Sequence, residues 1–378
     1  MLNVKKIELN PKRNYGIDFL RILSMLFVLL LHILKQGGIL SALDKLSLGY
    51  NLAWFIEVCA YCAVNCYALI SGFIGYGSKH KYSNIINLYI QTAFYALLAT
   101  GVFYVISPDE IGEKAFIKAV LPFGFNLYWY FTAYFCMFFF IPFMNKVLET
   151  CDKKQLTGLV VFSIMFFSVF PLIFEKDIFF TNNGYSVIWI SILYMIGGYI
   201  RKYEIYKIIS NIKCVVLYFA GVFITFGQKV IVEYVKLKLS GETVNEGAFI
   251  KYTSPTMVLC AISLLCLFAK VNFKDGMKKV TAIFSPFAFS VYLIHTAPFV
   301  WSKVMKNRFV MFADFNPFGM VVAVLVTAVS IFLLCSFIDF IRTQLFKLLK
   351  IKELSIKIES FVTKLFDKKE SVDKSEVC

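Results

Sequence analysis

The sequence is poor in charge and in histidine for its length. Only 17% of its 378 residues are charged and three are histidines, whereas 59% are hydrophobic and the mean hydropathy is +0.71. Since a soluble domain carries about 25% charged residues, a soluble globular enzyme is excluded. Apolar runs of about 17–25 residues, long enough to cross a hydrocarbon core, recur along the chain. The sequence therefore predicts an all-α, polytopic integral membrane protein.

About ten transmembrane helices are expected. They are placed at 15–34, 52–77, 83–106, 126–148, 156–174, 187–200, 211–232, 252–269, 282–302 and 317–346. If the amino terminus is cytoplasmic, 26 of the 39 lysines and arginines fall in inner segments and 12 in outer ones, with Arg21 inside a span. This asymmetry follows the positive-inside rule, which predicts a multi-pass plasma-membrane protein with both termini cytoplasmic. The net charge of +15 then reflects topology, and no nucleic-acid partner is expected.

No separate soluble domain is expected, and residues 1–346 are assigned to a ten-helix transmembrane domain. The remainder, 347–378, is assigned to a cytoplasmic helix and tail. Apolar residues recur there at helical spacing, which predicts an amphipathic helix on the inner leaflet. They are Ile351, Leu354, Ile358, Phe361, Val362 and Leu365. The polar stretch from Asp367 onward is expected to be a disordered tail.

The ten cysteines do not form a metal-binding pattern. Cys59, Cys62 and Cys66 share one helix face, but no histidine is nearby in the sequence and no zinc-type spacing occurs. Small, polarizable cysteine side chains pack well between helices. We therefore expect no metal site.

The first span carries ionisable residues, which lipid disfavours. Arg21 and His32 are 11 positions apart. That separation is about 1100°, or about 20° from three full turns, and about 16 Å along the axis, so both project from one face. Asp18 lies on the same face and can pair with Arg21. Such residues are by default a functional-site hypothesis, and the alternative is that Arg21 snorkels to the headgroups while His32 caps the helix.

The stretch RILSMLFVLLLH (21–32) resembles the opening helix of the acyltransferase-3 family of membrane O-acyltransferases, whose signature is an arginine and a histidine separated by ten residues. Similar stretches follow in the family's order. They are AVNCYALISGFIGY (63–76), YWYFTAYFCMFFFIPFMN (128–145), ILYMIGGYIRKY (192–203) and FSVYLIH (289–295). The resemblance covers nearly the whole chain and is to members found with capsule and exopolysaccharide synthesis.

The resemblance implies an O-acetyltransferase that moves an acetyl group from cytoplasmic acetyl-coenzyme A to a hydroxyl of a cell-surface or lipid-linked glycan. Acetyl-coenzyme A would be a co-substrate rather than a bound cofactor. The other expected partners are the saccharide acceptor, membrane lipid and proteins of polysaccharide synthesis.

The same resemblance gives the ionisable residues their expected roles. His32 suits the general base because the pKa of histidine lies near working pH. Arg21 can bind a donor phosphate bidentately, or it can hold the helix through Asp18. His295 either supports the acceptor site or only forms a hydrogen bond between helices.

Two residues of the second span are further candidates. Glu57 must be neutral, paired or facing a cavity, because an exposed carboxylate is costly in lipid. Ser71 stands beside Gly72, and this pair favours close helix packing or a hydrogen bond to substrate.

Four residues are candidates for donor binding. Trp129 and Tyr130 match the family's third stretch, although aromatic residues near a helix end are usually interface anchors. Arg201 and Lys202 could bind coenzyme A phosphates or act as ordinary positive-inside anchors.

A transporter that exports a glycan or another metabolite is the competing hypothesis, because charged residues in spans also mark substrate paths. Transporters often have corresponding broken helices in two repeats. The sequence contains no second copy of the arginine–histidine pattern, which favours the enzyme.

Overall fold

The computed structural model describes residues 9–10, 13–241 and 250–373, and within them it is helical and contains no strand. The α-helices are α1 (Tyr15–Leu34), α2 (Ile39–Ala42), α3 (Leu48–Ala60), α4 (Ala63–Gly75), α5 (Tyr82–Ile106), α6 (Ala115–Val120), α7 (Trp129–Thr150), α8 (Lys153–Ile164), α9 (Phe170–Ile173), α10 (Val187–Lys202), α11 (Ile205–Ile208), α12 (Asn211–Ser240), α13 (Pro255–Phe268), α14 (Asp275–Phe284), α15 (Ala288–His295), α16 (Pro317–Leu348) and α17 (Ile351–Asp373). Two π-helical segments are Met165–Val169 and Val300–Met305. Short 3-10 turns are Pro108–Glu110, Asn182–Gly184, Ser285–Phe287 and Val310–Asp314.

Eight helical segments in this part of the chain are long and apolar enough to cross a membrane. They are Tyr15–Ala42, Leu48–Gly75, Tyr82–Ile106, Trp129–Thr150, Lys153–Ile173, Asn211–Ser240, Asp275–His295 and Pro317–Leu348. The other two predicted spans form α10 and α13, of 16 and 14 residues. At 1.5 Å per residue these two are about 24 and 21 Å long, less than the core thickness of about 30 Å. The all-α, polytopic class is confirmed, and eight of the predicted spans are long and apolar enough to cross a membrane.

Helix α1 lies at the centre of the bundle. The side chain of Asn14 caps its first turn by accepting a hydrogen bond from the Ile17 amide at 3.0 Å. Helices α3, α4, α13, α14, α15 and α16 all pack around it. Because α1 is enclosed on most sides, its polar residues face other helices rather than lipid.

The second span is broken near its middle, whereas the sequence predicts one continuous helix. Helix α3 ends at Ala60 and α4 begins at Ala63, and the Tyr61 amide bonds to the carbonyl of Val58 instead of the residue four back. Irregular backbone within a membrane span is tolerated where it is buried in protein or lines a cavity. Here Tyr61 lines a cavity.

Helices α4 and α10 approach closely through glycine. A Cβ atom at Gly72 would lie 1.8 Å from the carbonyl oxygen of Tyr194, and one at Gly197 would lie 2.1 Å from that of Leu69. Neither position can therefore take a side chain without separating the helices. The hydroxyl of the neighbouring Ser71 donates to the Tyr67 carbonyl of its own helix at 2.9 Å.

The connection from α5 to α7 folds back along α5. The Tyr104 ring packs 5.7 Å from that of Phe116 in α6, and the Tyr89 hydroxyl donates to the Val120 carbonyl at 2.6 Å. Tyr89 is seven residues into α5, about 10 Å from the start of the helix. Helix α7 consequently begins deep in the bundle, which places Trp129 beside α1.

The carboxy-terminal helix α17 docks on the start of α5. The Glu359 carboxylate accepts a hydrogen bond from the Tyr82 amide at 2.6 Å, so it caps α5 from another helix. The hydrogen bond from the Ser83 side chain lowers the pKa of Glu359. The helix continues to Asp373, so residues 367–373 of the expected disordered tail are helical, and 374–378 lie outside the described residues.

Candidate active site

Two histidines that are far apart in sequence meet inside the bundle. His32 lies in the last turn of α1 and His295 is the last residue of α15. The Nδ1 atom of His32 is 2.8 Å from the Nε2 atom of His295. The rings of Trp301 and His32 pack nearly perpendicular to each other, with ring centroids 4.6 Å apart. The packing and the hydrogen bond together fix the orientation of His32.

The hydrogen-bond partners determine where the protons of this pair lie. The Nδ1 atom of His295 is 2.5 Å from the carbonyl oxygen of Val291. A carbonyl only accepts, so Nδ1 of His295 donates, and in a neutral ring its Nε2 must accept. The Nδ1 of His32 therefore donates to His295. We infer from this network that Nε2 of His32 carries the lone pair, as a general base requires.

A cavity of about 390 Å³, called here the large cavity, opens beside His32. Glu57 and Trp129 line it, together with Tyr292 from the turn of α15 before His295. Glu57 is only 2% exposed, and it therefore faces a cavity inside the protein rather than lipid. The cavity walls combine aromatic rings with a few polar groups, as small-molecule sites commonly do.

A second cavity of about 40 Å³, called here the narrow cavity, adjoins the first. It shares His32, Trp129 and Tyr292 with the large cavity and extends to Met25 and Val28. Those two residues lie four and seven positions after Arg21, on the Arg21 face of α1. The two cavities thus meet at His32, and the narrow one leads toward Arg21. Tyr130 lines the narrow cavity only.

Arg21 belongs to an ion-pair cluster at the start of α1. Its Nη1 donates to the Asp18 carboxylate at 2.7 Å, and Arg13 donates to the same carboxylate and, at 2.9 Å, to the Ser285 hydroxyl. Asp18 is 5% exposed, whereas the side chains of Arg21 and Arg13 are 32% and 34% exposed. Two guanidinium groups on one carboxylate leave a net positive charge with accessible N–H donors. The Tyr67 hydroxyl also donates to the Arg21 carbonyl at 2.8 Å.

The other predicted donor-binding residues lie elsewhere. The Lys202 ammonium donates to the carbonyls of Leu148 at 2.7 Å and Cys151 at 2.8 Å, so it caps the end of α7. The Arg201 guanidinium packs 5.1 Å from the centroid of the Phe73 ring. Neither Arg201, Lys202 nor Ser71 lines either cavity.

Several residues that line the cavities were not identified from the sequence. They include Tyr61, Leu127, Tyr185, Tyr252, Tyr292 and Trp301. They stand on segments far apart in the chain, and only Tyr292 had a signal, since it is one turn before His295 in VYLIH. Its hydroxyl oxygen accepts a hydrogen bond from the Tyr130 amide at 3.3 Å.

Two buried ion pairs were also missed. Lys229 bonds to Glu233 at 2.5 Å, and Arg342 bonds to Asp339 at 2.8 Å. The predicted topology places Lys229 among the 12 outer charges, but its side chain is 8% exposed and lies inside the bundle. Both pairs have helical spacing within apolar helices, i to i+4 and i to i+3, like the pair of Asp18 and Arg21. The same criterion, applied along the whole chain, therefore identifies both ion pairs.

Comparison with protein-family models matches residues 14–337 to the acyltransferase domain of the acyltransferase-3 family. The matched region starts at the capping residue of α1 and ends within α16, so it includes both cavities and the histidine pair. Neither the search of curated proteins nor that of solved structures finds a match. Among the described residues, no group of three or more histidine, cysteine, aspartate or glutamate side chains could hold a metal ion.

Proposed function

The chain belongs to the acyltransferase-3 family, and we propose that it transfers an acetyl group from acetyl-coenzyme A to a hydroxyl of a cell-surface or lipid-linked glycan. Family membership makes the protein a membrane acyltransferase and favours the enzyme over a transporter. The observation that carries the finer proposal is the oriented His32–His295 pair where the two cavities meet.

In this proposal His32 is the general base. Its Nε2 takes the proton of the acceptor hydroxyl while the hydroxyl oxygen attacks the thioester carbonyl carbon. The tetrahedral intermediate collapses, the carbon–sulfur bond breaks, and the thiolate takes the proton from His32. The products are the acetyl ester and coenzyme A with a free thiol. His295 accepts the Nδ1 proton of His32 in a hydrogen bond and so supports the transient imidazolium.

Tyr292 is the candidate donor to the oxyanion of the tetrahedral intermediate. Its ring lines both cavities beside His32, and its hydroxyl oxygen already accepts the Tyr130 amide proton. The hydroxyl proton can then be donated to the developing negative charge. A preorganised donor of this kind contributes about 10²–10³ to kcat in acyl-transfer enzymes.

Arg21 is proposed to hold the phosphates of acetyl-coenzyme A. In the predicted orientation it lies near the cytoplasm, where this donor is made, and its accessible N–H groups suit a phosphate. The axial separation of Arg21 and His32, about 16 Å, is bridged by an extended arm between the phosphates and the thioester. The narrow cavity supports this route because it leads from His32 toward Arg21 and has room only for a slender chain.

The acceptor is proposed to reach His32 through the large cavity, from the outer side of the plasma membrane. This arrangement follows from the predicted cytoplasmic termini. It also suits a glycan under assembly at the cell surface, where polysaccharide-synthesis proteins would be partners.

The test compares cells that make the wild-type protein, its His32→Ala variant or neither, with membrane levels of both proteins matched. We expect O-acetyl groups on the surface glycan with the wild type only, at an unchanged total amount of exported glycan. Normal O-acetyl content together with reduced export in cells lacking the protein would instead indicate a transporter.

A further inference from the structure

Four aromatic side chains form one side of the large cavity. Trp129 lies 4.6 Å from Tyr185 and stacks on Tyr252 at 6.2 Å with an interplanar angle of 20°. Tyr252 lies 4.9 Å from both Tyr61 and Tyr185. The four come from separate segments: the start of α7, the residues before α10, those before α13, and the break between α3 and α4. We call Tyr61, Trp129, Tyr185 and Tyr252 the aromatic wall.

A buried amide holds the aromatic wall in place. Asn65 is 0% exposed, and its Nδ2 donates to the Tyr252 carbonyl at 2.8 Å while its Oδ1 accepts from Trp189 Nε1 at 3.1 Å. Gly184, with φ of +101°, lets the turn before Tyr185 approach Tyr252, because a Cβ there would lie 2.5 Å from the Tyr252 Cβ. The wall is therefore fixed by specific contacts behind it.

The aromatic wall is not simply a packed core. Tyr185 is 40% exposed, and Trp129 and Tyr61 are half-buried, although all four rings line the same cavity. Tyr252 is 6% exposed and contacts the other three rings. Tyr61, Trp129 and Tyr185 therefore present ring surface to the space beside His32.

Polar side chains line the same cavity. They are Lys35, Gln36, Glu57 and Thr296. A flat apolar surface together with hydrogen-bonding groups matches a sugar ring, which has an apolar C–H face and a polar hydroxyl edge. A linear polyol has the hydroxyls without the face, and an acyl chain has neither the face nor the hydroxyls.

We propose that the aromatic wall is the acceptor subsite and that the acceptor binds it as a pyranose ring stacked on Trp129, with one hydroxyl at His32. This inference rests on the proposed acetyl transfer and specifies the acceptor by its chemistry. The wall residues set acceptor specificity, and two of them, Tyr61 and Tyr185, line the large cavity only.

The test uses the full-length protein in nanodiscs with acetyl-coenzyme A. The acceptors are the methyl glycosides of glucose, galactose and N-acetylglucosamine, each beside its open-chain alditol. Acetyl transfer and free-thiol release are measured together, because thiol release reports turnover of the donor. We expect the wild type to acetylate at least one glycoside with a KM about tenfold below that of its alditol, the scale expected for a good aromatic stacking contact.

The variants separate the wall from the rest of the site. Trp129→Ala and Tyr185→Ala should each raise the glycoside KM by about three- to tenfold. The KM for acetyl-coenzyme A should stay unchanged in Tyr185→Ala, because Tyr185 lines the large cavity only. Trp129→Phe should restore part of the loss because it keeps a ring face. Tyr234→Ala is the matched control, since Tyr234 is 53% exposed on α12 and lines neither cavity.

Three results would overturn the proposal. One is a rise in the KM for acetyl-coenzyme A in Tyr185→Ala, which would assign the wall to the donor. Another is equal acetylation of glycosides and alditols by the wild type. A third is thiol release with none of the glycosides acetylated, which would leave the acyltransferase in place with another acceptor. Absence of thiol release with any acceptor would contradict the proposed function itself.

Discussion

Nδ1 of His32 is 2.8 Å from Nε2 of His295, and this contact joins the first span of the chain to a helix 263 residues later. The His295 ring is in turn tied to the backbone through the Val291 carbonyl. A base that is oriented from one side keeps its other nitrogen directed at substrate, as in other acyl-transfer sites where a third group orients the base. We therefore propose a positioning role for His295, which can be tested apart from the proposed role of His32.

We expect His295→Ala to lower kcat by about 10- to 100-fold, less than a full loss of the base, because His32 would lose its orientation but keep its lone pair. The KM for acetyl-coenzyme A should change little. His295→Gln should recover part of the rate, because its amide oxygen can accept the His32 Nδ1 proton. Steady-state kinetics of the purified variants make the comparison. Equal losses in the Ala and Gln variants would show that the hydrogen bond does not matter.

Arg21→Lys should raise the KM for acetyl-coenzyme A by about tenfold or more, because lysine keeps the charge but loses the two-pronged geometry for phosphate. Acetyl transfer at saturating donor should remain measurable. Arg201→Lys is the control, since Arg201 lines neither cavity. If donor affinity is unchanged while the protein becomes less thermally stable, Arg21 acts through Asp18 as part of the fold.

Tyr292→Phe should reduce kcat by about 10²-fold with little change in either KM, because only the transition state carries the oxyanion. The matched control is Tyr128→Phe, which removes a hydroxyl from a 1% exposed ring that packs 6.0 Å from Tyr292 but lines neither cavity. Rates are measured at saturating donor and acceptor. A similar loss in both variants would mean that packing, not hydrogen bonding, is disturbed.

The placement of Arg21 and His32 was predictable because both lie on one regular helix, where position around the axis follows from sequence separation alone. The same reasoning finds Asp18, whose bond to Arg21 is 2.7 Å long. It cannot find His295 as the partner of His32, since nothing in one sequence relates positions on different helices.

The rest of the cavity depends on irregular backbone, which helical periodicity does not describe. Trp129 reaches the site because the connection before α7 folds back along α5. Tyr61 reaches it because the second span breaks after Ala60, and Tyr185 because Gly184 adopts a positive φ. For Arg201 and Lys202 the only signal in the sequence is a positive charge at a helix end, and in the structure the Lys202 ammonium caps a neighbouring helix.

The sidedness of the reaction is the last prediction. If α1 starts at the cytoplasmic boundary, His32 lies about 25 Å along a hydrocarbon core about 30 Å thick, and Arg21 lies near its inner edge. The donor is charged and is made in the cytoplasm, so it should bind from the inner side through the narrow cavity, while the acceptor enters the large cavity from outside. In oriented vesicles, acetyl-coenzyme A supplied only on the cytoplasmic face should acetylate an impermeant glycoside confined to the opposite face.

Replacing Val28, which lines the narrow cavity, by Phe should block this transfer, because a larger side chain closes a space of about 40 Å³. The control is Leu23→Phe, a substitution of the same kind on α1 at a residue that lines neither cavity. Transfer that occurs only when both substrates share the cytoplasmic side would show that the two cavities do not form a route across the membrane.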